Sequence, residues 1–132
     1  MIALPLNSVL LIDDDQINNF LNARLIGKIN ICHTLEIAQN GEEGLTLLRK
    51  KITANSSLPD LILLDINMPV MDGFEFMNGF KNLNCTTIKI ILLTTSSNPE
   101  DIKRFNESLA CGYINKPLTE EKLKNILLEF FN

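Results

Sequence analysis

The stretch Leu61-Ile62-Leu63-Leu64-Asp65-Ile66-Asn67-Met68-Pro69-Val70-Met71-Asp72-Gly73 decides the fold. Its four consecutive large apolar residues are too few for a helix and are typical of a strand buried on both faces. The run ends at Asp65, and Pro69 with the pair Asp72-Gly73 then predicts a turn. We therefore expect Asp65 on the exposed lip where the strand gives way to a loop, which is where ligands bind in an open α/β sheet. Taken alone, an aspartate after a strand is explained more simply as the start of a turn.

The rest of the chain alternates short apolar runs with segments of helical periodicity. Strands are predicted at residues 9–12, 31–38, 61–64, 88–93 and 112–115. Helices are predicted from residue 17 to a stop near Gly27, then over 42–51, 74–83, 99–109 and 119–130. Polar residues that are typical of helix caps precede four of them, namely Asp15, Asp72, Asn98 and Thr119.

Five strands alternating with five helices predict an α/β fold, a parallel sheet with helices on both faces. Right-handed crossovers leave few ways to wind it. Of the two common doubly wound orders, five strands fit the flavodoxin-like order 2-1-3-4-5, whose switch point lies between the first and third strands. Those are the two strands that end in aspartates. All 132 residues fit one domain, 1–132, with no linker to an effector domain.

Composition narrows the class of partner. The net charge of −4 provides no basic face for nucleic acid or anionic lipid, so we expect a protein partner or a small phosphorylated donor. The three cysteines, Cys32, Cys85 and Cys111, share no metal-ligand spacing and are expected to be small buried side chains in a reducing compartment. No signal peptide and no apolar stretch near the roughly 20 residues of a membrane span are recognisable, which predicts a cytoplasmic protein without membrane insertion.

Polar residues at the carboxyl ends of the predicted strands should face one crevice; they are Asp13, Asp14, Asp15, Asp65, Thr94 and Lys116. Crowded carboxylates repel one another unless a hard cation with oxygen ligands neutralises them, and Mg²⁺ suits a partial cage shared with phosphate. One carboxylate can then accept a phosphoryl group. Magnesium and a lysine would stabilise the transferring oxygens, and a threonine hydroxyl would donate to one of them.

This set resembles the receiver domain of two-component response regulators, of the CheY-like type, over essentially the whole chain. Leu10-Leu11-Ile12-Asp13-Asp14 is similar to the family's acidic pair, and Asp65, in its Asp-x-x-Met-Pro-x-Met-Asp-Gly phrase, to the phosphoacceptor. Thr94 is similar to the switch hydroxyl, and Lys116-Pro117 to a lysine followed by a cis-proline bond. The resemblance implies that Asp13, Asp14, Asp65 and the backbone carbonyl of Asn67 hold Mg²⁺, with Asp14 a more direct ligand than Asp13.

The resemblance implies a stand-alone receiver in phosphorelay signal transduction. Asp65 would take a phosphoryl group from a phosphohistidine of a sensor histidine kinase or a histidine phosphotransfer protein, and the aspartyl phosphate would switch a surface that binds a downstream protein target. Such a phosphoprotein is no enzyme toward other molecules and catalyses only its own phosphorylation and autodephosphorylation. His33, the only histidine, lies in a predicted strand away from the crevice, so the donor must be another molecule.

The same resemblance identifies a switch. Tyr113 matches the aromatic residue that moves inward when the threonine shifts toward the phosphoryl group, although a half-buried tyrosine at a sheet edge explains it equally well. Thr95 is larger than the small residue common at its position, which predicts restricted access to the phosphoryl group and slower hydrolysis. The face that would meet the target carries Asp101, Lys103, Phe105 and Tyr113.

Docking of a kinase in this family uses the first helix and nearby loops. Here those positions are Ile17, Asn18, Phe20 and the segment Lys116-Pro117-Leu118.

Two other functions are compatible with part of the pattern. Asp13-x-Asp15, Thr94 and Lys116 loosely match a haloacid dehalogenase phosphatase, with Asp13 as nucleophile and Asp15 as acid. That class leaves the segment around Asp65 unexplained and needs an acidic motif after the lysine. A degenerate receiver that serves only as a binding module is the other alternative, and the intact set of site residues argues against it.

Overall fold

The computed structural model describes residues 5–68, 71–85, 87–95 and 99–131. The strands are β1 (Leu6–Ile12), β2 (Cys32–Ala38), β3 (Leu61–Asp65), β4 (Lys89–Thr94) and β5 (Gly112–Asn115). The helices that alternate with them are α1 (Gln16–Ile29), α2 (Gly41–Thr53), α3 (Gly73–Lys81), α4 (Pro99–Asn106) and α5 (Glu120–Phe130). The predicted alternation of strand and helix is therefore confirmed.

All strands are parallel, in the order β2-β1-β3-β4-β5. This confirms the flavodoxin-like winding. Ile12 pairs with Leu64 across β1 and β3, and Asp65 pairs with Leu93 across β3 and β4. Because the strands are parallel and in this register, the ends of β1, β3 and β4 reach the same edge of the sheet.

Alternate residues of the central strands supply two separate hydrophobic cores. Leu10, Ile12, Ile62 and Leu64 pack with buried residues of α2 and α3 on one face. Leu11 and Leu63 belong to the cluster on the other face, with buried residues of α1 and α5. Leu61 to Leu64 are all buried, as their uninterrupted apolar run predicted. Asp65 is buried as well, with 3% of its surface exposed, so the expectation of an exposed position is wrong.

Three predicted helix caps are confirmed. Asp15 accepts hydrogen bonds from two α1 amides, Asp72 forms a reciprocal capping box with Glu75, and Thr119 accepts from the Lys122 N–H. The predicted Asn98 cap and the Pro69 turn lie outside the described residues.

Gly73, the first residue of α3, has no room for a side chain. A Cβ atom there would lie 2.8 Å from the Ile66 Cα, which belongs to the backbone just after the phosphoacceptor candidate. The Gly73 N–H also donates to the Ile66 carbonyl at 3.2 Å. Close approach of two backbone segments therefore explains the glycine and fixes the return of the chain after β3.

Helix α1 differs from the prediction in its end. It passes Gly27 and stops at Ile29, because Asn30 adopts the left-handed conformation, with φ 54°, and donates its N–H to Ile26. Its periodic apolar residues Ile17, Phe20 and Leu21 face solvent, with 70%, 61% and 55% of their surfaces exposed.

The end of α4, the start of β1 and the burial of the cysteines also differ from the prediction. Helix α4 ends at Asn106 instead of near residue 109, since the Ser108 hydroxyl donates to the Phe105 carbonyl at 2.7 Å and competes with the next helical bond. Strand β1 starts early, at Leu6, whose N–H donates to the Ile31 carbonyl at 2.7 Å. Cys85 is buried as expected and Cys32 is half-buried, but Cys111 is exposed, so the prediction of three buried cysteines is wrong.

No helix in the described ranges combines the length and the apolar character needed to cross a membrane.

Candidate functional site

The predicted crevice forms at the carboxyl edge of the sheet. Asp13 directly follows β1, Asp65 and Thr94 are the last residues of β3 and β4, and Lys116 directly follows β5. Asp13, Asp65 and Thr94 are 0%, 3% and 6% exposed, whereas Asp14 faces solvent. The fold thus brings side chains from distant parts of the chain to one place, with one acid at its mouth.

Lys116 joins the two buried acids. Its Nζ lies 3.2 Å from Asp65 Oδ1 and 3.4 Å from Asp13 Oδ2. The lysine side chain is only 17% exposed, so these contacts are partly shielded from solvent. A lysine in this position neutralises one of two charges and leaves the buried pair with a net negative charge.

The acids have the composition of a site for a hard divalent cation. Asp13, Asp14 and Asp65 each offer a carboxylate oxygen, and these oxygens lie within 4.8 Å of one another. Mg²⁺ takes all-oxygen ligands at short distances and commonly retains waters beside one or two carboxylates. The donor set and its residual negative charge therefore fit Mg²⁺.

The surroundings of the Asp65 carboxyl group disfavour its ionised form. Burial raises its pKa from 3.8 to about 6, and the negative charge of Asp13 acts in the same direction. A hydrogen bond from the Asn67 N–H and the positive charge of Lys116 both lower the pKa but offset only part of the rise. An added cation would favour the ionised form, which is also the nucleophilic form.

Hydrogen bonds fix both buried acids. Asp13 Oδ1 accepts from the Asp15 N–H at 2.9 Å, and Asp65 Oδ1 accepts from the Asn67 N–H at 3.1 Å. Asn67 therefore lies at the site, and the use of its carbonyl as a metal ligand stays a prediction.

Asn19, which the sequence analysis missed, is a further support of the acidic turn. It is 5% exposed, and its Nδ2 donates to the Asp13 carbonyl at 2.9 Å. Its Oδ1 is buried with no partner among the residues described. No signal in the sequence could have identified Asn19, because the apolar periodicity of α1 does not show which side of the helix faces the core.

Asp15 takes no part in the acidic cluster, because its Oδ1 accepts from the Ile17 and Asn18 amides at 2.9 and 3.2 Å. It therefore starts α1, as predicted. A phosphatase would need Asp15 as its acid, so this placement disfavours that alternative.

Thr94 connects the crevice to a small cavity. Its carbonyl accepts the Lys116 N–H at 2.8 Å, and the residue also lines a cavity of about 20 Å³. The other lining residues include Asp101, Phe105 and Tyr113, which are three of the predicted switch residues. Thr95 follows at an exposed position.

Tyr113 is partly exposed and is held by an aromatic neighbour. It is 45% exposed, and its ring packs edge-to-face on Phe105 with centroids 5.0 Å apart. This geometry agrees with a half-buried tyrosine at the sheet edge, and the small cavity lies beside the ring. Lys103, also on α4, is exposed.

The predicted docking residues lie on α1 and in the loop between β5 and α5. Ile17 and Phe20 are exposed on α1, whose first turn is capped by Asp15. Pro117 is exposed and follows a cis peptide bond from Lys116, as the resemblance implied. His33 lies on β2, away from the ends of β1 and β3, and is exposed.

Comparison with known proteins identifies the same family over nearly the whole chain. The profile of the response regulator receiver domain matches residues 9–128. The probable methanogenesis regulatory protein FilR2 of Methanothrix harundinacea is 30% identical over 92% of this chain and 79% of its own length. The rice two-component response regulator ORR41 is 32% identical over 92% of each chain. The crystal structure of a two-component response regulator from Cytophaga hutchinsonii has a TM-score of 0.84 at 32% identity, covering 94% of this chain and 96% of the other.

Proposed function

The chain belongs to the response regulator receiver family of two-component signalling, and from that premise we propose that Asp65 is its phosphoacceptor. The donor is a phosphohistidine on a histidine kinase or a histidine phosphotransfer protein. The observation that carries the proposal is the contact of the Lys116 ammonium with both Asp65 and Asp13, 3.2 and 3.4 Å away, beside a third acid.

The transfer requires an ionised Asp65. One carboxylate oxygen of Asp65 forms a bond to phosphorus while the bond from phosphorus to the histidine nitrogen breaks. The nitrogen keeps the bonding electron pair, and the imidazole leaves as a neutral group because its other ring nitrogen already carries a proton or because the leaving nitrogen takes one from water. The product is an aspartyl phosphate.

Asp13, Asp14, Asp65 and the Asn67 carbonyl would hold Mg²⁺. When bound, Mg²⁺ neutralises the carboxylates and withdraws charge from the phosphoryl oxygens.

Lys116 and Thr94 stabilise the transferred group. The Lys116 ammonium already lies against Asp65, so it is placed to pair with a phosphoryl oxygen on that carboxylate. Thr94, at the end of the neighbouring strand β4, donates its hydroxyl to another phosphoryl oxygen. Water attack on the aspartyl phosphate reverses the modification, and the exposed Thr95 slows this reaction by narrowing access.

Movement of Thr94 toward the phosphoryl group couples the site to the cavity that Thr94 lines with Tyr113 and Phe105. Tyr113 turns inward, and the face formed by α4 and β5 changes its affinity for a downstream protein. Asp101 and Phe105 on α4 belong to this face. The coupling free energy between such sites is typically about 1–3 kcal/mol.

Docking of the donor uses α1. Ile17, Phe20 and Leu21 present adjacent apolar surface to solvent, and Arg24 stacks on the Phe20 ring at 5.7 Å. An apolar patch of this kind is suited to an amphipathic helix of the donor. The patch begins at Ile17, just after the acidic residues Asp13 to Asp15, so a docked histidine can reach Asp65.

We propose that residues 1–132 act as a receiver in the cytoplasm. Output is by protein contact or by onward phosphoryl transfer, and the chain catalyses only its own phosphorylation and dephosphorylation.

Incubation with Mg²⁺ and acetyl phosphate, followed by intact-mass measurement, tests the acceptor. Wild type should gain one acid-labile phosphoryl group, Asp65→Asn none, and omission of Mg²⁺ should suppress labelling. Labelling that persists in Asp65→Asn and is lost in Asp13→Asn would instead favour the phosphatase alternative.

Fluorescence tests the switch, because Tyr113 is the only tyrosine and the chain has no tryptophan. Acetyl phosphate with Mg²⁺ should change the tyrosine emission of wild type beyond the effect of Mg²⁺ alone, and should leave Asp65→Asn unchanged. Full phosphorylation without any change in emission would contradict the proposed movement of Tyr113.

A further inference from the structure

The short loop between β5 and α5 has its backbone tied on both sides of Lys116. The Lys116 N–H donates to the Thr94 carbonyl at 2.8 Å. In addition, the Nζ of Lys122 donates to the Asn115 carbonyl at 2.8 Å and to the Pro117 carbonyl at 3.1 Å. One ammonium group from α5 therefore bridges the residues immediately before and after Lys116.

Helix stability does not explain a lysine at position 122. The residue lies in the first turn of α5, where its N–H donates to the Thr119 cap and where the helix dipole disfavours a cation. Glu120 and Glu121 occupy the same turn, as the dipole favours. Lys124 provides a contrast, since its ammonium only pairs with Glu120 at 3.1 Å on the exposed side of the helix. A residue that is unfavourable at its position in a helix is expected to make a compensating contact elsewhere. The Asn115 and Pro117 carbonyls provide that contact for Lys122.

We propose that Lys122 is a positioning residue for Lys116, an inference that rests on the function proposed for Lys116 above. Hydrogen bonds from a charged donor are about twice as strong as neutral ones. Two of them hold the peptide groups on either side of Lys116, whose ammonium must stay near both Asp65 and Asp13. Displacement of a catalytic group by about 1 Å costs on the order of 100-fold in rate.

The hydrogen bonds themselves are tested by NMR, independently of phosphorylation. The Asn115 carbonyl shares its peptide group with the Lys116 nitrogen, and the Pro117 carbonyl shares its peptide group with the Leu118 nitrogen. Lys122→Met should therefore shift the ¹⁵N signals of Lys116 and Leu118, and Lys124→Met should not. Unchanged signals at both residues in Lys122→Met would overturn the proposal.

The functional effect is tested by the rate of labelling with acetyl phosphate and Mg²⁺. Lys122→Met should slow labelling about tenfold, with a melting temperature within about 5 °C of wild type, since hydrogen bonds at an exposed site contribute only modest net stability. Lys122→Arg retains two donors and should recover most of the rate, and Lys124→Met should stay within about twofold of wild type. A wild-type rate in Lys122→Met would overturn the proposal, as would a loss of rate matched by a large fall in melting temperature.

A double-mutant cycle tests whether Lys122 acts through Lys116. In a Lys116→Met background, adding Lys122→Met should leave the remaining slow rate unchanged within about twofold. A further tenfold loss would show that Lys122 acts by another route and would overturn the proposal. If wild type takes up no phosphoryl group, the proposed function fails, while the NMR measurement still decides whether Lys122 holds the loop.

Discussion

The acidic crevice and helix α4 both lie next to Thr94, but the crevice is fixed by buried contacts and the helix is not. In the crevice, Asp13 and Asp65 are buried and are fixed by backbone hydrogen bonds and by Lys116. Helix α4 has no buried residue. Its described side-chain contacts include the Phe105 ring on Tyr113 and the Arg104 guanidinium over the Phe74 ring at 4.0 Å.

Under the proposed function, this difference suits a phosphorylation site whose groups must already be in place and a face of α4 that must change when the site is phosphorylated. Groups that stabilise a transition state act best when they are already in place. A helix with few buried contacts has low local stability, so a modest free energy can reposition it. Substitutions in the crevice should accordingly have large effects, and those in α4 small and local ones.

The largest effect is expected from Lys116→Met, which removes the cation shared by the two buried acids while keeping most of the side-chain volume. Labelling by acetyl phosphate with Mg²⁺ should slow by about 100-fold, since loss of one preorganised group commonly costs this much. The rate is measured by intact mass. Labelling within about threefold of wild type would show that Lys116 is structural.

Burial of charge in the crevice gives a stability effect with a defined pH dependence. The pKa of Asp65, raised from 3.8 to about 6, corresponds to at most about 3 kcal/mol of destabilisation once the carboxyl group is ionised. Because the folded-state pKa is the higher one, this cost is absent below pH 3.8, grows between pH 4 and 6, and is complete above about pH 7.

Asp65→Asn, which carries no charge at any pH, should therefore be more stable than wild type in the absence of Mg²⁺. We expect its free energy of unfolding to exceed that of wild type by up to about 3 kcal/mol at pH 8 and to match it near pH 4. Urea denaturation at both pH values measures this difference. Glu129→Gln, at an exposed position of α5, is the control and should show little change at either pH. The same gain for Asp65→Asn at pH 4 and pH 8 would exclude charge burial as its cause.

Close backbone contact beneath the crevice predicts the next effect. Gly73→Ala places a Cβ 2.8 Å from the Ile66 backbone and should destabilise the fold by about 1–3 kcal/mol. Gly27→Ala is the matched control, because a Cβ there has no neighbour within 4 Å. That change should stabilise α1 by about 0.5–1 kcal/mol. Opposite shifts in denaturation midpoint are expected, and a shift of the same sign in both would contradict the steric explanation.

The smallest effect is expected in α4. Arg104→Ala removes the contact with Phe74 and a weak ion pair with Asp72 at 3.9 Å, together worth about 1 kcal/mol at an exposed site. Hydrogen exchange of α4 amides should accelerate severalfold, with global stability almost unchanged. Lys103→Ala, on the same helix, should leave exchange near wild type. Equal protection in both variants would show that Arg104 does not hold the helix.

The sequence predicted the framework well because local and global signals agree there. The apolar run ending at Asp65 is typical of a strand buried on both faces. The capping residues Asp15, Asp72 and Thr119 marked the starts of their helices. Once the winding order was assumed, parallel strands had to carry Asp13 and Asp65 to the same edge. These inferences depend on the spacing of apolar residues, on helix caps and on the order of the elements. All of these can be read from short segments and their sequence order.

Other features depend on contacts between residues far apart in the chain, so short stretches of sequence could not predict them. Apolar periodicity identified α1 but not which side of it would face the core. The sequence could not show that Ser108 would end α4, or that Cys111 would be exposed. The reach of Lys122 to the carbonyls beside Lys116 also requires the three-dimensional path of the loop.

In the proposed function, the outward apolar side of α1 separates donor recognition from chemistry. Ile17, Phe20 and Leu21 keep more than half of their surfaces exposed, whereas Asn19 on the same helix and the backbone N–H of Asp15 before it support the acidic turn. Because these outer side chains contribute little buried area, under the proposed function their substitution should alter donor preference with little effect on phosphoryl transfer to Asp65.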